Sequence, residues 1–254
     1  RYNERVITVP WSLHKDKYVL ADKVRRMGEA VAAVAAETEA LAEKAARAIV
    51  VEYEPLPVVL DPHDALKPSS TQLYDTVMYG DNEIKVQNNI ACQREFSEGD
   101  VDKAFTEADV IVEGIFETTK IYHAQLEPKT AICKPEPDGG LTVWATAQSI
   151  HNVRIVLGQI FSIPLSKINV KRIPCGGTFG SSIQMNTVVP ICAALALKAH
   201  RPVKLTLTRE EDMNDHTRYP LHVHLQLAAK KDGTLLGAKE DVVADIGAHI
   251  LQGY

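Results

Sequence analysis

The segment Cys175–Ser182 has the sequence CGGTFGSS and is the most informative stretch of the chain. Its glycines at 176, 177 and 180 lack the Cβ atoms that keep a ligand away from the main chain, and glycine accepts the positive φ of a tight turn. A β-rich run precedes this segment. Asn186 and Pro190 then lead into the apolar run Ile191–Ala199, which predicts a helix with its N-cap near Asn186 and Pro190 in the first turn.

A strand, a glycine turn and a helix N-terminus in succession predict a cradle for phosphate or another anion, because free N–H groups there point at the ligand. No Gly-Lys-Ser/Thr follows the glycines, and the spacing of a dinucleotide-binding Gly-x-Gly-x-x-Gly is absent. The pattern therefore favours neither a P-loop nor a dinucleotide fold. On these residues alone, an ordinary structural turn is the more common explanation.

Composition and charge are those of a folded, acidic protein. The 254 residues, 45% hydrophobic and 24% charged, suffice for one large or two modest domains. A net charge of −5 and nine scattered histidines give no basic stripe, so nucleic acid is not expected as a partner. The apolar runs are far shorter than the roughly 20 residues that span a bilayer, and no secretory signal is evident. We therefore expect a cytoplasmic protein with no membrane partner.

Cysteine and histidine positions give little sign of a protein-bound metal. The four cysteines are far apart without a Cys-x-x-Cys, so neither zinc nor an iron–sulfur cluster is expected on them, and reduced thiols are the expected state. His222 and His224 would share one face of a strand. A metal site needs a further ligand, which the neighbouring sequence does not offer.

The first part of the chain predicts a βαβ unit. Ala30–Ala36 is a short Ala/Val strand, Thr38 opens a helix, and Val50–Tyr53 returns as a strand. Four prolines between positions 55 and 68 then break regular structure until about Asn88, which predicts a linker.

Alternation and capping residues predict the remaining elements. Helices are expected over 100–108, capped by Asp100, and after Ser149, with His151 on its surface and Ile150, Val153, Val156, Leu157 and Ile160 facing inward. Strands are expected over 109–119, 167–173, 203–208, 221–229 and 235–244, the last two joined by an Asp232-Gly233 hairpin turn. Arg218 is expected to pair with the charged segment 209–212 at a solvated surface.

Five collinear parts of the sequence resemble the large, molybdenum-binding subunit of the xanthine dehydrogenase and aldehyde oxidase family of molybdenum hydroxylases. They are Val24–Ala32 with Val51–Leu56, His123–Pro128, Trp144–His151, Gly176–Gly180, and a last group between Pro202 and Ala248. Because the matches keep their order along most of the chain, they are stronger together than any one motif.

The resemblance implies an α+β fold with mixed sheets. It assigns residues 1–66 to the C-terminal part of an α/β hammerhead domain, 67–95 to a linker, and 96–254 to an incomplete first molybdopterin-binding domain. The family pattern continues beyond both ends, and Arg1 is not an initiator methionine. We therefore expect an internal piece of a longer polypeptide or one chain of a split subunit.

The resemblance also implies the site residues. The side chain of Gln148 would reach an oxygen ligand of the metal, and the main chain of Gly177, Thr178, Phe179 and Gly180 would lie against the same centre. Glu127 would support the substrate pocket. The family's base glutamate lies in a later segment, so no catalytic base is expected in this chain.

Family members hydroxylate an aldehyde or an electron-poor heterocycle with water. They use a molybdenum–pyranopterin cofactor, with molybdopterin or its cytosine dinucleotide as the organic part. The expected partners are a small-molecule substrate, the remaining molybdopterin-binding half, an iron–sulfur subunit with [2Fe-2S] clusters and an FAD subunit.

Substrate class depends on Ile183. Purine-oxidising members carry a glutamate four residues after the phenylalanine, where this chain has Ile183, which cannot hydrogen-bond a purine. An aldehyde or a non-purine heterocycle is therefore expected, with a purine as the alternative. Ser181 and Ser182 depart from the commoner Gly-Lys-Glu continuation, which leaves a non-catalytic scaffold as a second alternative.

Overall fold

A computed structural model describes residues 14–250 of the chain, with side chains from residue 16 onward. The described part is an α+β structure with mixed sheets, which confirms the expected fold class. The helices are α1 (Glu39–Arg47), α2 (Pro62–Ala65), α3 (Val101–Thr106), α4 (Ile150–Phe161), α5 (Val188–Ala199) and α6 (Arg209–Met213). The strands are β1 (His14–Lys15), β2 (Thr76–Tyr79), β3 (Asn82–Lys85), β4 (Val110–Glu117), β5 (Ile121–Tyr122), β6 (Thr130–Pro135), β7 (Leu141–Ala145), β8 (Ile168–Lys171), β9 (Val203–Thr206), β10 (Thr217–Arg218), β11 (Leu221–Ala229) and β12 (Leu235–Ala244).

The core forms between a four-stranded sheet and the helices α4 and α5. The sheet has the order β8-β7-β6-β9, with β7 and β8 parallel and the other pairs antiparallel. Strand β7 is central and buried on both faces, whereas β6 alternates between buried and exposed side chains. Val143 of β7, Leu157 of α4 and Val189 of α5 are among the residues that this arrangement removes from water.

Helix α4 begins and packs as its sequence predicts. The Ser149 side chain accepts a hydrogen bond from the backbone N–H of Asn152, which satisfies one free donor of the first turn. Val153, Val156, Leu157 and Ile160 are buried, and His151 is exposed on the outer face. The helix follows β7 after four residues and therefore places the strand end beside its own N-terminus.

Helix α5 begins where it was predicted, with Pro190 in its first turn. Its N-cap is Thr187 rather than Asn186, and the Thr187 hydroxyl makes no capping bond because it binds Lys17 and Asp215 instead. Val188, Val189 and Pro190 in the first turn are buried. The start of this helix is therefore packed against Lys17 and Asp215.

A second sheet has the order β12-β11-β4, all antiparallel. Its hairpin confirms the prediction over 221–229 and 235–244. Gly233 has a φ of +92°, and Lys230 N–H donates to the Thr234 carbonyl at 2.9 Å across the turn. The Asp-Gly pair at 232–233 thus supplies the backbone conformation that the two-strand reversal requires.

The N-terminal region differs from its prediction. Thr38 caps α1 as expected, but 30–36 and 50–53 are not strands, so the βαβ prediction is wrong. A strand needs hydrogen-bonded neighbours, and in the described part of the chain neither segment has a strand beside it. Val50, in the second of these segments, is 87% exposed, so it does not pack in a sheet.

The predicted linker contains regular structure. Strands β2 and β3 lie within 67–95 and pair with β1 in a three-stranded antiparallel sheet. Strands β2 and β3 form a local hairpin, and β2 also pairs with the distant β1, so regular structure follows soon after the prolines. Within residues 14–250, no helix is long and apolar enough to cross a membrane.

Candidate functional site

The glycine turn is partly exposed: Gly176 and Phe179 are exposed, Gly177 and Gly180 are half-buried, and Thr178 is buried. Gly177 and Gly180 have φ values of +91° and +97°, and Phe179 between them has a φ of +49°. A positive φ at a residue with a Cβ costs on the order of 1 kcal/mol, so the surrounding structure must hold Phe179 in place. Its ring is 75% exposed. Hydrogen bonds from Ser181 N–H to the Thr178 carbonyl and from Ile183 N–H to the Gly180 carbonyl close the turn.

Gln148 lies directly against the end of this turn. Its backbone N–H donates to the Ser182 carbonyl at 2.9 Å, and its Oε1 accepts from the Ser182 N–H at 3.2 Å. The side chain is exposed, and among the described residues its Nε2 group has no hydrogen-bond partner. Gln148 and the turn, which come from separate parts of the sequence, therefore meet at Ser182, with the amide donor of Gln148 exposed.

Glu127 contacts both the glycine turn and the segment that carries Gln148. Its Oε2 accepts from the Gly176 N–H at 2.5 Å, and its Oε1 accepts from the Thr146 hydroxyl at 3.3 Å. A Cβ on Gly176 would lie only 2.8 Å from the Glu127 Cβ. Glycine is therefore required at position 176 because any side chain there would collide with Glu127.

The segment after the turn is held by amide side chains. Asn152 Nδ2 donates to the Ile183 carbonyl at 3.3 Å, and Asn186 Nδ2 donates to the Thr146 carbonyl at 2.6 Å. Ile183 is half-buried. The Ser181 hydroxyl and Asn186 Oδ1 are buried without a hydrogen-bond partner in the described structure. Such atoms call for a bound water, ion or ligand.

His123 lies next to Gly180 of the turn. Its Nε2 lies 3.9 Å from where a Cβ on Gly180 would stand, and its Nδ1 is buried with no partner in the described residues. Burial, and then the charges of Lys129 and His216, lower the pKa of His123, which keeps the ring neutral at neutral pH. The sequence offered a histidine inside a family motif but no sign that it would face the turn.

A buried ionic cluster lies behind the site. Lys129 Nζ is 2.9 Å from Asp212 Oδ1 and 3.4 Å from Asp215 Oδ2, and the side chains of Lys129 and Asp212 are 0% exposed. Gln125 Nε2 also donates to Asp212, at 2.7 Å. The rest of the charged segment 209–212 is exposed, as predicted, so the expectation of a solvated surface is wrong for Asp212 alone.

Arg218 does not pair with this segment, so that prediction is wrong. Its Nη2 donates to the Thr119 carbonyl at 3.2 Å. Arg209, one helical turn before Asp212, is the arginine that approaches it, at 3.4 Å. In the pairing of β10 with β5, Arg218 lies opposite Ile121.

Asp215 extends the cluster toward the N-terminal region. It accepts from the Thr187 hydroxyl at 2.7 Å and contacts His216 Nδ1 at 2.8 Å, and Lys17 Nζ donates to the same hydroxyl at 2.8 Å. Burial raises the pKa of Asp215, but the charges of His216, Lys17 and Lys129 together with the His216 hydrogen bond outweigh it and hold that pKa well below its usual range. Gln184 Oε1 contacts His216 Nε2 at 3.1 Å. The segment that follows the turn is thereby fixed to the cluster.

The remaining candidates for metal binding have other partners. His222 Nδ1 is 3.2 Å from Glu117, and His224 Nε2 is 2.5 Å from Glu113. In residues 14–250, no three His, Cys, Asp or Glu side chains form a group that could hold a metal ion. The cysteines within this range are free: Cys133 and Cys192 are buried, and Cys92 and Cys175 are exposed.

Comparison with known protein families and structures assigns a class to this arrangement. A model of the molybdopterin cofactor-binding domain matches residues 82–253, and a model of the aldehyde oxidase and xanthine dehydrogenase a/b hammerhead domain matches residues 3–57. The chain thus contains a molybdopterin cofactor-binding domain. It belongs to the xanthine dehydrogenase and aldehyde oxidase family of molybdenum-dependent oxidoreductases, as its motifs predicted.

Among its relatives is a probable xanthine dehydrogenase subunit of Bacillus subtilis, 37% identical over 91% of this chain and 30% of that protein. The nicotinate dehydrogenase large molybdopterin subunit of Eubacterium barkeri is 33% identical over 94% of this chain and 54% of that protein. A Cu,Mo-CO dehydrogenase structure superposes with a TM-score of 0.80 at 27% identity, over 91% of this chain and 30% of that one. The chain therefore spans between about a third and about half of the length of these relatives.

Proposed function

We propose that this chain forms one wall of the cofactor site in a molybdenum hydroxylase that oxidises an aldehyde or an N-heterocycle with water. One observation carries the proposal: Gln148 binds Ser182 through both its backbone N–H and its side-chain oxygen, and so lies against the end of the glycine turn. The Ser181 hydroxyl, directly after the turn glycines, is buried without a hydrogen-bond partner among the described residues, which leaves a polar group for a bound water or ligand to satisfy.

In this role Gln148 acts as a hydrogen-bond donor. Its Oε1 is occupied by the Ser182 N–H, which fixes the amide plane and leaves Nε2 to face an oxygen ligand of the metal. The proposal adds the backbone N–H groups of Gly177, Thr178, Phe179 and Gly180 as further donors. A Cβ on Gly180 would have only the His123 ring nearby, at 3.9 Å, whereas a Cβ on Gly177 would face the Phe179 ring at 3.2 Å. When bound, the molybdenum–pyranopterin supplies the redox chemistry, and the protein supplies orientation and hydrogen bonds.

The proposal includes other polypeptide segments. We propose that the catalytic base is a glutamate of the remaining molybdopterin-binding half, and that electrons leave to iron–sulfur clusters and FAD on partner subunits in the cytoplasm. The relatives support this proposal because several of them are named as single subunits of larger enzymes. Hydroxylase turnover is not expected from residues 1–254 alone.

A purine is the alternative substrate, and relatives named as xanthine dehydrogenases favour it. Ile183 favours an aldehyde or a non-purine heterocycle, because a half-buried apolar side chain leaves a purine edge without a hydrogen-bond partner. Steady-state assays of the native enzyme with hypoxanthine and with benzaldehyde separate the two. Efficient hypoxanthine turnover would exclude the non-purine proposal.

The cofactor proposal is tested with a matched pair of glutamine variants. Gln148→Leu removes the amide that faces the proposed site, whereas Gln159→Leu changes an exposed glutamine on the outer part of α4. We expect Gln148→Leu to lower the molybdenum content of the native protein by about tenfold or more, since residues that orient metal ligands typically contribute that much. Gln159→Leu should keep the wild-type content. Equal molybdenum in both variants, or none in the wild type, would refute the proposal.

A further inference from the structure

We propose that Glu127 is the positioning residue that holds the two halves of the cofactor site together. The proposal rests on the function proposed above and deepens it. It makes specific the supporting role suggested by the family resemblance, because both carboxylate oxygens of Glu127 bind the chain's own groups.

Each oxygen of Glu127 holds one half of the site. Oε2 accepts the N–H of Gly176, the first glycine of the turn and 49 residues away in sequence. Oε1 accepts the hydroxyl of Thr146, which lies between the end of β7 and Gln148. A planar carboxylate has a fixed separation between its oxygens, so it sets the distance between turn and strand end.

Close packing supports the same role. The Gly176 Cα lies so near Glu127 that a Cβ on residue 176 would stand 2.8 Å from the Glu127 Cβ and 3.2 Å from its Oε2. Gly176 does not have a positive φ, unlike Gly177 and Gly180. The first glycine of the motif therefore serves the contact with Glu127, and the other two serve the shape of the turn.

The chain contains a matched control for this contact. Glu136 accepts the hydroxyl of Thr142 at 2.8 Å, near the opposite end of β7, and contacts Lys134 at 3.1 Å. It therefore makes a carboxylate–threonine bond to the same strand but has no contact with the turn. A Glu136→Ala variant reports the cost of losing such a bond without affecting the proposed site.

The experiment compares Glu127→Ala, Glu127→Gln and Glu136→Ala in the native enzyme, with two readouts. The first is molybdenum per chain by elemental analysis, and the second is amide hydrogen exchange across residues 175–182. Glu127→Ala should lose about tenfold or more of its molybdenum and exchange faster in the turn. Glu127→Gln should recover both, because its oxygen can accept from Gly176 and its amide can donate to Thr146. Glu136→Ala should resemble the wild type.

The possible contrary results are distinct. Unchanged molybdenum in Glu127→Ala would overturn the positioning role even if exchange became faster, since Glu127 would then support only the loop. Failure of Glu127→Gln to rescue would overturn it by showing that the charge itself is needed. If the wild type held no molybdenum, the function proposed above would fail first, and the exchange data would still decide whether Glu127 holds the turn.

Discussion

Replacing Lys129 tests whether the buried ionic cluster supports the fold behind the site. Lys129→Met keeps most of the side-chain stem and removes the ammonium that lies 2.9 Å from Asp212 and 3.4 Å from Asp215. Both carboxylates remain buried, and each keeps partial compensation, from Arg209 at Asp212 and from His216 and Lys17 at Asp215. The variant therefore leaves two buried negative charges with too few partners.

The size of the effect follows from the burial. Removing one member of a buried ion pair costs about 3–5 kcal/mol, because the remaining charge has lost its solvation and its partner. Because Arg209 and Gln125 still contact Asp212, we expect Lys129→Met to cost an amount near the lower end of this range, about 3 kcal/mol of folding stability. For a chain of this size that corresponds to a melting temperature lower by roughly 6–12 °C.

Urea unfolding and calorimetry of Lys129→Met measure this cost, with Lys134→Met as the control. Lys134 lies on β6 and pairs with Glu136 at 3.1 Å, but its side chain is 47% exposed. Loss of that exposed pair should cost less than about 1 kcal/mol. Equal destabilisation by the two substitutions would refute the argument that the cluster is a tightly coupled buried unit.

Two further predictions concern the turn and the acid stability of the protein. Gly180→Ala, at a φ of +97°, should lose about 1–2 kcal/mol of stability and most of its molybdenum. Gly139→Ala, at a φ of +81° in the β6–β7 turn, should lose stability only. Denaturation and elemental analysis of both variants check this, and equal molybdenum loss in the two would contradict it. Asp215 keeps its charge in the folded state below its ordinary pKa of 3.8, so its contribution to stability is present at neutral pH and is lost as the pH falls below about 4. Asp215→Asn should therefore be less stable than the wild type at pH 7, with the difference narrowing below about pH 4; a pH-independent difference in urea unfolding would contradict the lowered pKa.

Local chemistry made part of the fold predictable. The caps of α4 by Ser149 and of α1 by Thr38 were predictable, because each cap is a hydrogen bond between a side-chain oxygen and an N–H only three residues later. The hairpin over 221–244 followed from strand alternation and the positive φ of Gly233. Each of these signals depends only on residues close together in sequence.

Pairing between distant segments was not predictable in the same way. The Ala/Val segment 30–36 has strand-like composition, but no described strand lies beside it, whereas residues 76–79, set between proline-rich and polar segments, pair with β1 and β3. Strand propensity is weak compared with the hydrogen bonds that a neighbouring strand provides. Composition therefore located several candidate strands but left open which of them would pair.

Residue identity and order were enough to establish the family and the glycine turn and to single out Gln148. The contacts that support the site became visible only in the folded chain, where Glu127 ties Gly176 to Thr146 and Lys129 is buried against Asp212, 83 residues away. Charged residues in a sequence look alike whether they end in water or in the core. Folding removes a few of them from water, and each buried charge is stable only beside a partner of opposite charge or a hydrogen-bond donor. Only the folded structure shows which residues form these pairs and so hold the site in place.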